Sequence, residues 1–169
     1  MTPYVDLNGV RSWYAERGSG DPLVFMHGAL VDSRFYDRNT AALAEHFHVF
    51  SPDRRCHGRT PDVEGPMTFE AMVDDNIAMV EEVVGGPVHL VGHSNGAFAV
   101  LLTALRRPDL VRRLVMVSGG FHRDGLVSEQ PAENPDAPLP DLAAAYGEVS
   151  PDGKDHFEVL MEKTAALDS

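Results

Sequence analysis

The sequence has little with which to form covalent cross-links or to enter a membrane. Cys56 is the only cysteine among 169 residues, so no disulfide can form within the chain, and this is typical of a reducing compartment. No run approaches the roughly 18 consecutive apolar residues of a membrane span, and the N-terminus lacks the basic and apolar segments of a secretory signal. We therefore expect a cytoplasmic protein that does not insert into a membrane.

Positive charge is also scarce. Lys and Arg total 14 against 26 Asp and Glu, a formal net charge of -12, and the pI is near 4.9. The resulting negative field repels nucleic-acid phosphates and anionic membrane surfaces, so neither is an expected partner. We expect a small-molecule substrate instead, and a homo-oligomer remains open. The 43% of hydrophobic residues suffices for one buried core.

Short apolar runs bounded by turn residues predict strands that are buried on both faces, as in a parallel sheet. An Asn8-Gly9 turn signal predicts an antiparallel hairpin ahead of them. The four predicted buried strands are Leu23 to His27, Phe47 to Pro52, Pro87 to Gly92 and Arg113 to Gly119.

Segments with helical spacing of apolar residues lie between these runs. Ser33 or Asp32 can cap the first, which runs to about Glu45, and Thr68 can cap the second, which ends at Gly85-Gly86. A third begins near residue 94 and ends before Pro108. Strand and helix thus alternate, which predicts an α/β fold with a doubly wound, mostly parallel sheet.

This alternation stops after Phe121. Residues 128–140 are rich in proline and acidic side chains, and residues 121–140 are predicted to form a connector. Two amphipathic helical pieces follow, one around Leu142 to Tyr146 and one from about Asp155. The predicted organisation is a core of six strands over residues 1–120, a connector over 121–140 and the start of a helical cap over 141–169.

One serine lies between two glycines where the third buried strand meets the third helix. The spacing Gly92-x-Ser94-x-Gly96 is that of a nucleophile elbow, a strained turn that leaves the serine hydroxyl exposed. At the helix N-terminus, the backbone N–H of Asn95 can stabilise a developing oxyanion. The N–H of Ala29, which follows His-Gly at the end of the first buried strand, can supply a second donor.

These motifs resemble the α/β-hydrolase fold family, in the branch with His-Gly after the third strand and G-H-S-x-G after the fifth. Residues 53–60 resemble its D-x-R-G-x-G-x-S/T loop, with Cys56 where glycine is usual. The resemblance covers residues 1 to about 120 as core, with 141–169 similar to the first helices of a cap. It implies that Ser94 is the nucleophile, that the Ala29 and Asn95 amides form the oxyanion hole, and that no metal or organic cofactor is needed.

The family's acid and histidine usually follow a seventh and an eighth strand, and neither strand is found in this sequence. His122 and Asp124, after the last predicted strand, are possible base and acid, as is His57 after the second. The ordinary interpretation of each is a solvated loop residue. His93 is expected to pack away from Ser94, and His156 to lie at a wet helix terminus. No histidine has a spacing that indicates a metal site.

We therefore expect the amino-terminal part of a serine hydrolase, ending inside the cap, whose complete form hydrolyses a small ester, lactone or related acyl substrate through an acyl-serine. The chain by itself is expected to be weakly active or inactive, because an oxyanion hole without its base retains only part of the catalytic effect. Three alternatives remain. They are a non-catalytic ligand-binding module, a cofactor-free perhydrolase-type enzyme and a site that another subunit completes.

Overall fold

A single sheet organises the computed structural model, which describes residues 3–121 and 141–168. The strand order is β1-β2-β4-β3-β5-β6. Strands β3 to β6 are parallel, and β1 and β2 are antiparallel, which confirms the predicted mostly parallel sheet. The strands are β1 (Tyr4–Leu7), β2 (Val10–Arg17), β3 (Asp21–Met26), β4 (Phe47–Pro52), β5 (Val88–His93) and β6 (Val111–Val117).

The turn between β1 and β2 explains why the hairpin forms at the predicted place. Asn8 and Gly9 both adopt positive φ angles, 52° and 80°, the conformation of the tight turn that Asn-Gly favours. Asp6 also accepts a hydrogen bond from the Gly9 N–H at 2.8 Å. The hairpin is thus closed by its local sequence.

Five α-helices lie in the described residues. Thr68 accepts a hydrogen bond from the Ala71 N–H and caps α2 as predicted, and a π-helical turn ends that segment at Gly85, whose φ is 79°. The first helix differs from the prediction, because the Asp32 carbonyl accepts from the Phe35 N–H and tightens the start into a 3₁₀ turn. The helices are α1 (Asp37–Leu43), α2 (Phe69–Ala78), α3 (Asn95–Arg106), α4 (Leu142–Gly147) and α5 (Phe157–Ala165).

Alternate residues of the central strands face opposite layers, as expected of a doubly wound sheet. Val24 and Met26 of β3 pack with residues of the α2 and α3 side, whereas Leu23 and Phe25 pack with Tyr36 next to α1. Both layers are closely filled, and Val24 is completely buried. This double burial fixes the register of β3, because a shift of one residue would exchange the two faces.

Residues 141–168 pack onto the loops at one end of the sheet. Tyr146, Phe157 and Leu160 form an apolar cluster with Cys56 and Met72 of the core. The segment is therefore attached through buried apolar contacts. Its assignment as the start of a cap domain, and that of residues 121–140 as a connector, remain predictions.

Strand β6 forms one edge of the sheet within residues 3–121 and 141–168. Val115 is 50% exposed and Val117 is 43% exposed, whereas the inner strands are covered on both faces. An edge strand of this kind offers unpaired backbone groups to a further strand. No helix in the described ranges is long and apolar enough to cross a membrane.

A buried hydrogen bond joins α2 to α3, and the helix contact should depend on it. The Asn76 amide donates to the Thr103 hydroxyl at 3.0 Å, the hydroxyl donates to the Ala99 carbonyl at 2.8 Å, and both side chains are buried. Thr103→Val keeps the shape but leaves the amide without an acceptor, so we expect it to lower the free energy of unfolding by about 1–3 kcal/mol. Urea unfolding measures this difference.

Thr103→Ser is the matched control, because it keeps the hydroxyl and removes one methyl group, which costs about 1 kcal/mol. A Thr103→Val protein as stable as the unmodified chain would show that this hydrogen bond does not stabilise the helix pair.

Candidate active site

The four parallel strands all have their carboxyl ends at the same end of the sheet, and loops follow three of them there. There β3 leads into His27 and Gly28, β4 into Asp53 and β5 into Ser94. Loops at this end of an open α/β sheet are the usual place for a ligand site. The three motifs predicted from the sequence are thereby brought to the same end.

Ser94 occupies the sharp corner between β5 and α3. Its φ of 52° and ψ of -121° lie outside the regions that side-chain-bearing residues favour, which is the strained geometry predicted for an elbow. The Ser94 N–H donates to the Val117 carbonyl at 2.8 Å, and the Ser94 carbonyl accepts from the Ala97 N–H at 2.8 Å. Both backbone groups are thus fixed, while no described residue is hydrogen-bonded to the hydroxyl.

Two glycines make this corner possible. A Cβ atom on Gly92 would lie 2.5 Å from the Gly96 carbonyl oxygen, and one on Gly96 would lie 2.6 Å from the Met26 carbonyl oxygen. Real Cβ atoms do not approach backbone so closely, so the backbone of α3 packs directly against the ends of β3 and β5. Glycine is needed at both positions because neighbouring backbone leaves no room for a Cβ atom. Neither glycine has a positive φ angle.

The predicted oxyanion donors lie beside the serine. A Cβ atom on Gly28 would be 3.4 Å from the Ser94 Cβ atom, so the loop that carries Ala29 touches the elbow. Within residues 3–121 and 141–168, no acceptor receives the N–H of Ala29 or Asn95. Two unused amides next to a serine are available for an oxygen of a bound substrate.

A chain of hydrogen bonds supports the loop from the α1 side. The Gly28 N–H donates to the Tyr36 hydroxyl at 3.4 Å, and that hydroxyl is 2.7 Å from His93 Nδ1. Burial lowers the pKa of His93 and so favours its neutral ring. His93 is therefore turned towards Tyr36.

Two buried histidines lie beneath the same loop, with ring centroids 5.0 Å apart. His27 Nε2 accepts the Arg54 N–H at 3.0 Å, so its proton is on Nδ1, which donates to the Gly28 carbonyl at 2.7 Å. His57 Nδ1 donates to the Arg55 carbonyl at 2.8 Å, and its Nε2 has no hydrogen-bond partner. Neither ring is hydrogen-bonded to Ser94.

Burial keeps both rings uncharged. Desolvation, assisted by the positive charge of Arg54, lowers the pKa of His57 to about 3 and that of His27 well below its usual value. A group with so low a pKa is a weak general base at neutral pH. The structure thus disfavours His57, which the sequence offered as a possible base.

The loop after β4 is built around the Asp53 carboxylate. It accepts the Ser33 N–H at 2.9 Å and the Arg59 N–H at 3.0 Å, and Gly58, with φ 55°, leaves no space for a Cβ atom beside it. Cys56, at the position where the family usually has glycine, adopts a φ of 64°. Cysteine in place of glycine at position 56 therefore leaves the turn intact but holds Cys56 in a strained conformation.

Sequence reasoning missed a buried arginine beneath the elbow. Arg54 is 7% exposed and donates to the Asn95 side-chain oxygen at 2.8 Å and to the Gly28 carbonyl at 2.9 Å. No carboxylate in the described part of the chain pairs with it. The strand-end position of Arg54 was visible in the sequence, but a charged residue there is normally solvated, so nothing indicated its burial.

An apolar cavity of about 270 Å³ lies between the loop after β3 and residues 141–168. Leu30, directly after Ala29, forms part of its wall, whereas Ser94 does not. Arg34 closes one side by bonding both Asp32 and Glu148 at 2.9 Å. The cavity is thus beside the predicted oxyanion loop and separate from the serine itself.

One cluster of potential metal ligands lies where residues 141–168 meet the core. Ligand atoms of Cys56, Asp62 and His156 are within 4.8 Å of one another. However, the Lys163 ammonium group donates to both oxygens of Asp62 at 2.7 Å and so takes the place of a cation. His156 bonds Asp62 at 3.0 Å and is half-buried, which corrects the expected wet helix terminus.

The structure describes three of the five residues that the sequence predicts for the site. The structure brings Ser94, Asn95 and the Ala29 loop together at one strand edge. His122 and Asp124, the possible base and acid, lie outside the described residues. The roles of all five residues remain predictions.

Comparison with known proteins identifies the fold family. Residues 23–167 match the family model described as the alpha/beta hydrolase family. The chain belongs to the alpha/beta hydrolase family.

Relatives of this alpha/beta hydrolase chain have several activities in their names. An (E)-2-((N-methylformamido)methylene)succinate hydrolase of Acinetobacter baylyi is 31% identical over 69% of this chain and 44% of its own length. A putative non-heme haloperoxidase of a Mycobacterium phage is 32% identical over 70% of this chain and 44% of its own length. The chain thus spans less than half of each relative.

A solved structure has the same fold. A variant of an epoxide hydrolase from Vigna radiata superposes with a TM-score of 0.68 and 28% identity, over 72% of this chain and 40% of that one. Two of these three proteins are named as hydrolases of different compounds, and the third is named as a haloperoxidase.

The buried histidines predict a dependence of stability on pH. In the unfolded chain a histidine has a pKa of about 6.5, whereas folded His57 has a pKa of about 3. Between these values only the unfolded chain takes up the proton, so stability falls with falling pH by up to about 1.4 kcal/mol per unit for His57. His57→Asn, which can keep the donor to Arg55, should reduce this slope in urea unfolding between pH 5 and 7.

His46→Asn is the matched control for the loss of one histidine, because His46 is exposed and lies outside the buried pair. Equal slopes in the His57→Asn protein and the unmodified chain would show that His57 is protonated in the folded state.

The packing of Gly96 against β3 predicts a large effect of one methyl group. Gly96→Ala forces the start of α3 away from the Met26 carbonyl, so we expect a loss of about 1–3 kcal/mol in unfolding free energy, as for other overpacked sites. Gly86→Ala is the control, because a Cβ atom there meets nothing within 4 Å. Two variants of equal stability in urea would contradict the close packing of α3 on β3.

Proposed function

We propose that this chain is the nucleophile-bearing part of an alpha/beta hydrolase that cleaves a small ester, lactone or related acyl substrate through an acyl-serine intermediate. In this proposal Ser94 attacks the carbonyl carbon, and the Ala29 and Asn95 amides receive the negative charge that develops on the carbonyl oxygen. Water then releases the acyl group. No metal or cofactor takes part.

The geometry at Ser94 carries this proposal. A non-glycine residue with a φ of 52° is retained only where the surrounding structure holds it, and such strain clusters at functional sites. Ser94 is half-buried, its hydroxyl is free of hydrogen bonds to described residues, and the residue lies next to Asn95 and to the loop that carries Ala29. This is the arrangement that acyl transfer needs at its first step.

The residue types favour an acyl substrate over an epoxide. Two amides that stabilise an oxyanion suit a carbonyl group, which becomes negatively charged on oxygen when a serine adds to its carbon. An epoxide ring has no carbonyl oxygen to place there. The relative named for an N-acylated methylenesuccinate agrees with an acyl compound as the substrate class.

A perhydrolase-type reaction is the second proposal, and the phage relative named a putative non-heme haloperoxidase favours it. It would use the same acyl-serine, with peroxide in place of water as the second reactant. Formation of peracid from an ester and hydrogen peroxide, measured by oxidation of a dye, would separate it from simple hydrolysis.

The first step can be tested on the chain by itself. A fluorophosphonate probe transfers its phosphonyl group to an active serine oxygen with loss of fluoride and the hydroxyl proton, and its P=O oxygen occupies the oxyanion position. We expect intact-mass analysis to find one label, at Ser94, and no label in Ser94→Ala. The reaction should be slow, because no described base is hydrogen-bonded to the hydroxyl.

Ser118→Ala is the matched control. Ser118 also follows a parallel strand with a φ of 52° and is exposed, but it has no predicted oxyanion donors, so its loss should leave labelling unchanged. Labelling that persists in Ser94→Ala, or a chain that takes no label, would contradict the proposal.

A further inference from the structure

A buried guanidinium group bonds Asn95 and also the residue before Ala29, the two residues whose amides are the predicted oxyanion donors being Asn95 and Ala29. Arg54 Nη2 donates to the Gly28 carbonyl and Arg54 Nη1 to the Asn95 side chain. The carbonyl of Gly28 and the N–H of Ala29 belong to one peptide unit. One side chain therefore holds the loop after β3 and the first residue of α3 at the same time.

The orientation of that peptide unit follows from its planarity. The described chain has no cis peptide bond, so the Ala29 N–H points opposite to the Gly28 carbonyl. His27 Nδ1 and Arg54 Nη2 both donate to this carbonyl, at 2.7 and 2.9 Å, and so use both of its lone pairs. The carbonyl is held inwards, and the Ala29 N–H is directed away from the buried arginine.

The charge on Arg54 acts on the same peptide. Burial lowers the pKa of Arg54 to about 10, which still leaves the group protonated at neutral pH, and no described carboxylate neutralises it. A cation that bonds a carbonyl oxygen withdraws electrons from the peptide unit and makes its N–H a stronger donor. Arg54 thus supplies both orientation and polarisation.

Burial of an unpaired cation is unfavourable for folding, and its Nε atom has no hydrogen-bond partner. If Arg54 served only to fill space, an apolar side chain of similar length would make the protein more stable. The hydrogen bonds that the Arg54 guanidinium group donates go to Asn95, Gly28 and the Met72 sulfur. Two of these three are at the predicted oxyanion hole.

We propose that Arg54 is a positioning residue that sets the direction and donor strength of the Ala29 amide and holds Asn95, which carries the second predicted donor, in place beside it. The inference deepens the proposed function, and its kinetic test rests on that function. Its structural test is independent of the proposed function, because a ¹⁵N–¹H correlation spectrum observes the two amides directly without any reaction.

Arg54→Met and Arg54→Lys test the proposal, with Arg55→Met as the matched control. Arg55 is the next residue and is half-buried, but it pairs with Asp75 at 2.7 Å. Arg54→Met removes both contacts and the charge. Arg54→Lys keeps the charge without the planar fork that reaches two acceptors, and it serves as the test variant if Arg54→Met does not fold.

We expect the Ala29 and Asn95 amide signals to move in both Arg54 variants and to stay in place in Arg55→Met. Labelling of Ser94 by the fluorophosphonate should be at least ten times slower in Arg54→Met, less impaired in Arg54→Lys, and within a factor of two of the unmodified chain in Arg55→Met. Rates are compared at a temperature where thermal unfolding shows every variant to be folded.

Unmoved amide signals in the Arg54 variants would overturn the inference, even if labelling slowed, because the effect would then not pass through the amides. Labelling of Arg54→Met at the unmodified rate would overturn it as well. If the unmodified chain takes no label, the proposed function fails, and the amide signals alone decide the role of Arg54.

Discussion

The direct contact between the backbone of α3 and the end of β3, at Gly96, is the constraint on which the site depends. A Cβ atom at Gly96 would meet the Met26 carbonyl oxygen at 2.6 Å, so only glycine lets α3 begin this close to the sheet. The chain must then turn within one residue, and Ser94 takes the strained conformation. The same approach brings the amide of Asn95 next to the loop that follows β3.

The features that the sequence predicted are those encoded by short-range patterns. Buried strands are apolar on both faces, the Asn8-Gly9 turn requires two positive φ angles, and the elbow needs glycine on each side of Ser94. Contacts between distant charged residues leave no such pattern. Asp62 and Lys163 are 101 residues apart, and each resembled an ordinary surface charge, so their half-buried ion pair could not be predicted.

The polar groups beneath the elbow reduce stability in a way that a purely structural core would avoid. Arg54 is a buried cation without a carboxylate, His57 Nε2 is a buried acceptor without a donor, and burial depresses the pKa of both side chains. Natural proteins retain such unfavourable groups mainly where function needs them. That they cluster under the Ala29 loop and Asn95, and not under the hairpin of β1 and β2, supports a reactive edge at the ends of β3 and β5.

The hydrogen-bond pattern also restricts where the proton of Ser94 can go. Both nitrogens of His27 are used by backbone groups, His93 Nδ1 is used by Tyr36, and His57 is too weak a base at neutral pH. A neutral imidazole has only one acceptor nitrogen, so none of these three rings can take the serine proton without losing an existing partner or entering a charged state that burial opposes. In the proposed reaction, the described residues therefore bind and orient the acyl group. If Ser94 reacts as proposed, we therefore expect the group that removes its proton to lie outside residues 3–121 and 141–168.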